Sequence, residues 1–300
     1  MKLEVNQINK HYGKNHVLKD VSFTATNNRT LGLLGRNGHG KSTIMKVIMG
    51  IISSESGTVT LDDEKISQKK FKLGYLPEER GLYPKINIVD QMIYFGKLRG
   101  LSASEARKQS LDFLERMEME EYLKKKAGEL SKGNQQKIQL ALALLNDPDI
   151  LILDEPYSGL DPVNSAMLLG FVNEAVQKGK LVIFSSHQLS TVEEFCDDIC
   201  IINRGEVVST GNIRDIKKEY PKSELYIEGI ELEKHLQGEA FKQDKNGLIV
   251  KFDGESHKKQ VLTKLIDANV DVFKIVEPTL LEIFLDKIGE SAEGIRGDNE

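Results

Sequence analysis

Short, continuous apolar runs recur along the first two thirds of this 300-residue chain, separated by glycine turns and amphipathic segments. Such runs are typical of strands buried on both faces of a parallel sheet, and we predict them at Thr30–Leu34, Ile150–Leu153 and Leu181–Phe184. Leu3–Val5 and Val17–Phe23 alternate apolar and polar residues instead, which predicts half-exposed strands. The pattern indicates an α/β core with a parallel or mixed sheet.

Helical signals replace strand signals between about residues 84 and 145. Residues 104–119 are rich in Glu, Arg, Leu, Lys and Met and contain no proline, so we predict a surface helix there. The pattern changes again near residue 220, where short strands and helices alternate, the last helix beginning near Pro278. We therefore predict an α/β domain at residues 1–220, with a helical insertion at about 84–145. A small α+β domain would follow at 221–290, and residues 291–300 would form a disordered tail.

Composition limits the possible functions. The hydrophobic fraction is 39%, the charged fraction is 29%, and the net charge is −5. The composition therefore gives no sign of the basic surface that a nucleic-acid-binding protein needs. No apolar run approaches the roughly 18 residues of a membrane span, and we expect a soluble chain whose membrane role, if any, comes through a partner. Cys196 and Cys200 are the only cysteines, and we interpret them as small buried residues rather than metal ligands.

Residues 35–43 fit the pattern G-x-x-x-x-G-K-[ST], which binds the phosphates of a nucleotide. They lie between a predicted strand and a predicted helix, so backbone N–H groups and the positive helix end would face the phosphates. Lys41 would contact the β and γ phosphates, and Ser42 would ligate Mg²⁺. We call this segment the phosphate loop. Its candidate nucleotide-binding residues are Gly35, Arg36, Asn37, Gly38, His39, Gly40, Lys41, Ser42 and Thr43.

Two carboxylates, Asp154 and Glu155, follow the predicted strand Ile150–Leu153. A carboxylate at a strand end beside a phosphate loop can hold Mg²⁺ or its waters, which is the role expected of Asp154. Glu155 is placed to orient and deprotonate an attacking water. Taken alone, this pattern also fits an ordinary strand followed by an acidic turn.

The order of these motifs resembles that of the ATP-binding cassette (ABC) proteins over roughly Leu3 to Asp215. By this resemblance Tyr12 is the aromatic residue on which adenine stacks, and His187 contacts the γ-phosphate. Asp161 lies in the loop that crosses between two cassettes. Leu130–Gln136 matches the family's signature, although Ser131 alone is also an ordinary helix cap. The candidate signature residues, which would bind ATP held by a second chain, are Ser131, Lys132, Gly133, Asn134 and Gln135.

Three residues depart from the family pattern. Glu78 stands where the family has glutamine, and its carboxylate still offers a hard oxygen to Mg²⁺ but lacks the amide donor. Lys132 adds a cation to the signature, whereas Ser131 and Gly133 are retained. His39 occupies a loop position that is usually small, and we expect it to point outward.

The resemblance implies an ATPase in which two cassettes, either two copies or homologues, pair head to tail around ATP and Mg²⁺. A separate integral membrane permease would select the substrate, and the chain would lie at the cytoplasmic face of the cell membrane. Pro77–Tyr83 and the segment Glu277–Phe284 look like exporter-type cassettes with a small C-terminal domain. Some of these relatives act in sodium export or in resistance to toxic compounds.

Two other hypotheses stay open. The chain can be a soluble cassette ATPase that acts as a mechanical switch on ribosomes or DNA. The sequence gives this alternative no support, because it contains a single cassette, lacks coiled-coil and zinc modules and has a negative net charge. The C-terminal domain can also be a ligand sensor that regulates the ATPase.

Overall fold

The computed structural model describes residues 1–67, 70–79, 81–220, 224–266 and 268–289. The chain divides between Ile213 and Arg214 into two units, so the division lies a few residues before the expected boundary at 220. The strands of the first unit are β1 (Lys2–Tyr12), β2 (Asn15–Thr26), β3 (Thr30–Leu34), β4 (Ser56–Leu61), β5 (Glu64–Lys65), β6 (Leu73–Leu76), β7 (Ile150–Asp154), β8 (Leu181–Ser186), β9 (Asp198–Asn203) and β10 (Glu206–Asn212). Its helices are α1 (Lys41–Ile48), α2 (Ile88–Leu98), α3 (Ala103–Arg116), α4 (Lys132–Leu144), α5 (Pro162–Gln177) and α6 (Leu189–Phe195).

The central sheet has the order β10-β9-β3-β8-β7-β6, in which only the β9–β10 pair is antiparallel. Every residue of β3, β7 and β8 is buried, which explains why these strands are continuous apolar runs. The predicted α/β core with a mixed sheet is thus confirmed. Because these strands are parallel, their carboxyl ends meet at one edge of the sheet.

A second, antiparallel sheet has the order β2-β1-β4-β5. Its inward side chains share one apolar core with the central sheet, and α1 contributes Ile44, Met45 and Ile48 to this core. Helix α1, which follows the phosphate loop, therefore packs into the apolar core that the two sheets share.

The predicted helical insertion consists of α2, α3 and α4, each begun by a side-chain cap. Asn87 caps α2, and Ser102 forms a capping box with Glu105 at α3. Ser131 caps α4, as its residue type suggested, and the helix begins at Lys132. None of the helices in the described part of the chain combines the length and apolar character that a membrane crossing requires.

The second unit contains a four-stranded antiparallel sheet, whose strands lie in the order Phe241–Gln243, Leu248–Lys251, Glu224–Ile230 and Asn269–Val276. Leu225, Ile227, Val250 and Val261 lie in its own apolar core, which confirms a small α+β unit. The last helix begins at Leu280 after the cap Thr279, close to the start predicted near Pro278. The tail predicted to be disordered, 291–300, lies outside the described residues. The elements are α7 (Ile213–Glu219), β11 (Glu224–Ile230), β12 (Phe241–Gln243), β13 (Leu248–Lys251), α8 (Gly254–Lys264), β14 (Asn269–Val276) and α9 (Leu280–Lys287).

Candidate functional site

The main candidate site lies at the carboxyl edge of the central sheet, where the phosphate loop follows β3, Glu155 follows β7 and His187 follows β8. A pocket of about 230 Å³ opens at this edge. The residues that line it are Val17, Asn37, Gly38, Gly40, Lys41, Ser42, Thr43, Glu78, Asp154 and Glu155. The fold thus brings most of the phosphate loop together with all three candidate carboxylates.

The phosphate loop needs its glycines for conformation and for space. Gly38 and Gly40 have φ of 81° and 106°, a left-handed backbone that other residues rarely adopt. A Cβ on Gly40 would also lie 2.8 Å from Cδ2 of Leu18. Gly40 precedes the first turn of α1, whose free N–H groups and positive dipole end favour an anion there.

Lys41 holds its ammonium group inside the pocket. Nζ donates a hydrogen bond of 2.7 Å to the carbonyl of Gly35 and lies 3.9 Å from Oε1 of Glu155. Burial lowers the pKa of Lys41, and the nearby carboxylates oppose this shift. A phosphate group is a stronger partner than a carbonyl oxygen for this buried cation.

Asp154 and Glu155 are both buried, although carboxylates are rarely found inside proteins without partners. Glu155 has a φ of 49°, and such a left-handed conformation costs about 1–3 kcal/mol in a residue other than glycine. Its Oε2 lies 2.8 Å from Nδ1 of His187. Its Oε1 is buried and has no hydrogen-bond partner among the described residues. One carboxylate oxygen therefore stays available for a polar ligand.

Sequence reasoning missed two residues that position these carboxylates. The buried hydroxyl of Ser185 lies 2.6 Å from Oδ1 of Asp154 and accepts a hydrogen bond from the N–H of Glu155. Nε2 of Gln136, on α4, donates to the carbonyl of Pro156 at 3.1 Å, which ties the helical insertion to the residue after Glu155. The only sequence signal for Ser185 was its position directly after the apolar run Leu181–Phe184, two residues before His187.

The donor set fits Mg²⁺ only if a nucleotide completes it. No group of three or more His, Cys, Asp or Glu residues able to hold a metal occurs within the described ranges. The hydroxyl of Ser42 and the carboxylates of Asp154 and Glu78 nevertheless line one pocket. Mg²⁺ commonly takes one or two protein oxygens together with waters and phosphate oxygens, so these residues suit it.

Four candidate nucleotide-binding residues lie outside the pocket lining: Tyr12, Gly35, Arg36 and His39. Tyr12, at the end of β1, is 51% exposed, and Nζ of Lys10 lies 5.7 Å from the centre of its ring. His39 does not point outward as expected, because it is half-buried and its Nδ1 is enclosed. Burial lowers the pKa of His39, and the charges of Arg36 and Lys41 act in the same direction.

The signature residues 131–135 do not line this pocket either. The Ser131 hydroxyl accepts a hydrogen bond from the N–H of Asn134, and Lys132 is exposed. A Cβ on Gly133 would lie 3.4 Å from Nδ2 of Asn164, whose N–H donates to Asp161 at 2.9 Å and lowers the pKa of that aspartate. The signature and the Asp161 loop are therefore neighbours, separate from the phosphate pocket of the same chain.

Known proteins resemble both units. Residues 18–158 match the family model described as ABC transporter, and residues 211–288 match the C-terminal domain of the DrrA1-3-like ATP-binding proteins. The uncharacterized ABC transporter ATP-binding protein YhaQ of Bacillus subtilis (strain 168) is 36% identical over 293 residues, which is 96% of this chain and 98% of YhaQ.

Two further similarities extend this comparison. The linearmycin resistance ATP-binding protein LnrL of the same organism is 35% identical over 218 residues, 71% of this chain and 70% of LnrL. The dimeric structure of a bacterial ABC transporter cassette has a TM-score of 0.65 at 24% identity, covering 71% of this chain and 99% of that one. The chain belongs to the family of ABC transporter ATP-binding proteins, with a DrrA-like C-terminal domain, and is an ABC transporter ATPase.

Proposed function

We propose that this chain is the ATP-hydrolysing subunit of an exporter-type ABC transporter. The observation that carries the proposal is the buried Oε1 of Glu155, which lies 3.9 Å from Nζ of Lys41 and accepts no hydrogen bond from any described residue, in a pocket shared with Asp154. The phosphate loop binds the nucleotide, and the exposed ring of Tyr12 offers adenine a stacking surface.

Glu155 is the general base for hydrolysis. Its carboxylate takes a proton from water as that water attacks the terminal phosphorus, and the bond from this phosphorus to the bridging oxygen breaks to leave ADP and phosphate. His187 holds Glu155 and offers its other ring nitrogen to the γ-phosphate. Ser42, Asp154 and Glu78 would hold Mg²⁺, which would neutralise charge on the phosphate oxygens.

The second half of each ATP site comes from another cassette. ABC cassettes dimerise and pair with membrane subunits. The signature residues 131–135 lie outside the phosphate pocket, so within one chain the N-terminus of α4 has no phosphate to bind. A head-to-tail dimer with two-fold symmetry would supply each pocket with the partner's signature, and Asp161 would lie at the interface.

An exposed apolar surface on α2 supports docking to a membrane permease. Tyr94 and Leu98 are 54% and 65% exposed and lie one helical turn apart. Tyr83 is also exposed, and its ring stacks on Phe95 of α2 with 6.1 Å between the ring centres. Such a partner would hold the chain at the cytoplasmic face of the membrane.

The name of LnrL, a linearmycin resistance ATP-binding protein, supports export of toxic compounds. Sodium export rests only on the motif resemblance. Purification of the tagged chain from gently solubilised cells tests the proposal, which expects a polytopic membrane protein in the complex. Ribosomes or DNA as the stoichiometric partner would contradict it.

A further inference from the structure

One hydroxyl contacts both of the carboxylate residues on which hydrolysis depends. Ser185 lies in β8 with no exposed surface. Its Oγ donates to Oδ1 of Asp154 at 2.6 Å and accepts from the backbone N–H of Glu155 at 3.0 Å. Ser185 does not line the phosphate pocket, so its effect on the nucleotide is indirect.

The register of the strands explains why this hydroxyl lies within hydrogen-bond distance of both residues. Asp154 pairs with Ser185 in the parallel β7–β8 ladder, and Asp154 is the last residue of β7. Glu155 then turns into the left-handed region, where the ladder offers its N–H no backbone acceptor. The Ser185 hydroxyl replaces that acceptor, because a buried N–H left without a partner is strongly disfavoured.

We infer that Ser185 is a positioning residue for ATP hydrolysis, which keeps Glu155 in its left-handed conformation and orients the Asp154 carboxylate. The inference rests on the proposed roles of Asp154 and Glu155. One serine thereby fixes the distance between the expected Mg²⁺ ligand and the general base. A small displacement of either group would slow the chemical step more than it weakens ATP binding.

The experiment compares three variants of the full chain. Ser185→Ala removes the hydroxyl, and Ser185→Cys keeps a side chain of similar shape with a weak donor. Ser110→Ala is the matched control, because Ser110 is equally buried but its hydroxyl donates to the carbonyl of Ala106 on α3. Amide hydrogen exchange at Glu155 is measured without nucleotide, and steady-state kinetics are measured with MgATP.

We expect the Glu155 amide to exchange about tenfold faster in both Ser185 variants than in the parent. We expect kcat to fall about 10- to 100-fold, with KM for ATP changed less than about threefold. Ser110→Ala should match the parent in both measurements. The inference would be overturned if the Glu155 amide of the Ser185 variants exchanged at the parental rate. It would also be overturned by a parental kcat in Ser185→Cys, because the shape of the side chain rather than its hydrogen bonds would then be sufficient.

A parallel assay of Glu155→Gln separates this inference from the proposed function. If Glu155→Gln is inactive while Ser185→Ala turns over at the parental rate, only the positioning role is wrong. If Glu155→Gln hydrolyses ATP at the parental rate, Glu155 is not the base and both proposals fail.

Discussion

Nδ1 of His187 lies 2.8 Å from Oε2 of Glu155, while Oε1 of the same carboxylate faces Nζ of Lys41 at 3.9 Å. Because a carboxylate only accepts hydrogen bonds, Nδ1 must carry the proton in this contact. Nε2 is then the histidine atom left for the γ-phosphate, and it can donate to a phosphate oxygen when the ring is protonated. Glu155 is thus held by a histidine on one side and a lysine on the other.

Glu155→Gln should bind ATP yet lose turnover. The amide keeps the shape of the side chain but cannot take a proton from water, so kcat should fall at least about 100-fold. ATP should also drive this variant into a stable dimer, which size-exclusion chromatography detects. Glu115→Gln, a change on the exposed face of α3, is the control and should hydrolyse ATP normally. Hydrolysis at the parental rate by Glu155→Gln would contradict the assigned role.

Lys41→Met should lose ATP binding without losing the fold. Removing the ammonium relieves its own desolvation cost but leaves the buried Glu155 carboxylate without its cation at 3.9 Å, so the free energy of unfolding should fall by no more than about 3–5 kcal/mol. Affinity for a fluorescent ATP analogue should fall more than about tenfold. Lys46→Met, on the exposed side of α1, should leave both quantities unchanged. Parental ATP affinity in Lys41→Met would refute the phosphate-binding role.

Local sequence was sufficient for the phosphate loop because its chemistry needs glycines, a lysine and a hydroxyl at fixed spacing along one segment. Buried strands such as β3 and β7 were also predictable, since burial on both faces requires an unbroken apolar run. Strand β4 was not predicted: its first three residues are exposed, it has no continuous apolar run, and it is held by pairing with β1, which is distant in sequence.

The contacts of Ser185 could not be predicted for the same reason. They depend on the register between β7 and β8, which are about 30 residues apart, and on the left-handed turn at Glu155. The enclosed Nδ1 of His39 also depends on tertiary packing, so the loop motif alone suggested an outward side chain. Spacing identifies the residue types, whereas packing decides their conformation.

The second unit contains an ion-pair cluster with a predictable pH response. Lys264 and, to a lesser extent, His257 hold the pKa of Glu239 below its ordinary value of 4.5. This contribution is complete above about pH 4.5 and is lost as pH falls through the lower pKa of the folded state. Glu239→Gln should therefore unfold at a lower temperature than the parent at pH 7, and the difference should shrink below pH 4.5.

Calorimetry of the full chain at several pH values measures this difference. Glu255→Gln is the control, because Glu255 is 79% exposed and pairs with its helical neighbour Lys258 on the surface. If the unfolding temperatures of Glu239→Gln and the parent differ by the same amount at every pH, the ion-pair explanation is wrong.

The apolar surface of α2 should be needed for membrane-subunit binding but not for hydrolysis. Tyr94→Ser combined with Leu98→Ser removes two exposed side chains that contribute little to the fold, so the isolated protein should keep its ATPase rate. Recovery of the membrane protein with the tagged chain should fall at least about fivefold. Ile51→Ser changes a similarly exposed apolar residue elsewhere and should not affect recovery. Unchanged recovery with the double variant would place the docking surface elsewhere.

The central claim, that each ATP site is built from two chains, is tested most directly by mixing two inactive variants. Lys41→Met removes the phosphate-loop lysine, and Ser131→Arg blocks the signature of α4. In a mixed dimer both changes fall in one composite site, and the other site is intact. An equal mixture should therefore recover up to about a quarter of the parental ATPase rate, because half of the dimers are mixed and each has one working site. A mixture no more active than either variant alone would contradict a shared site.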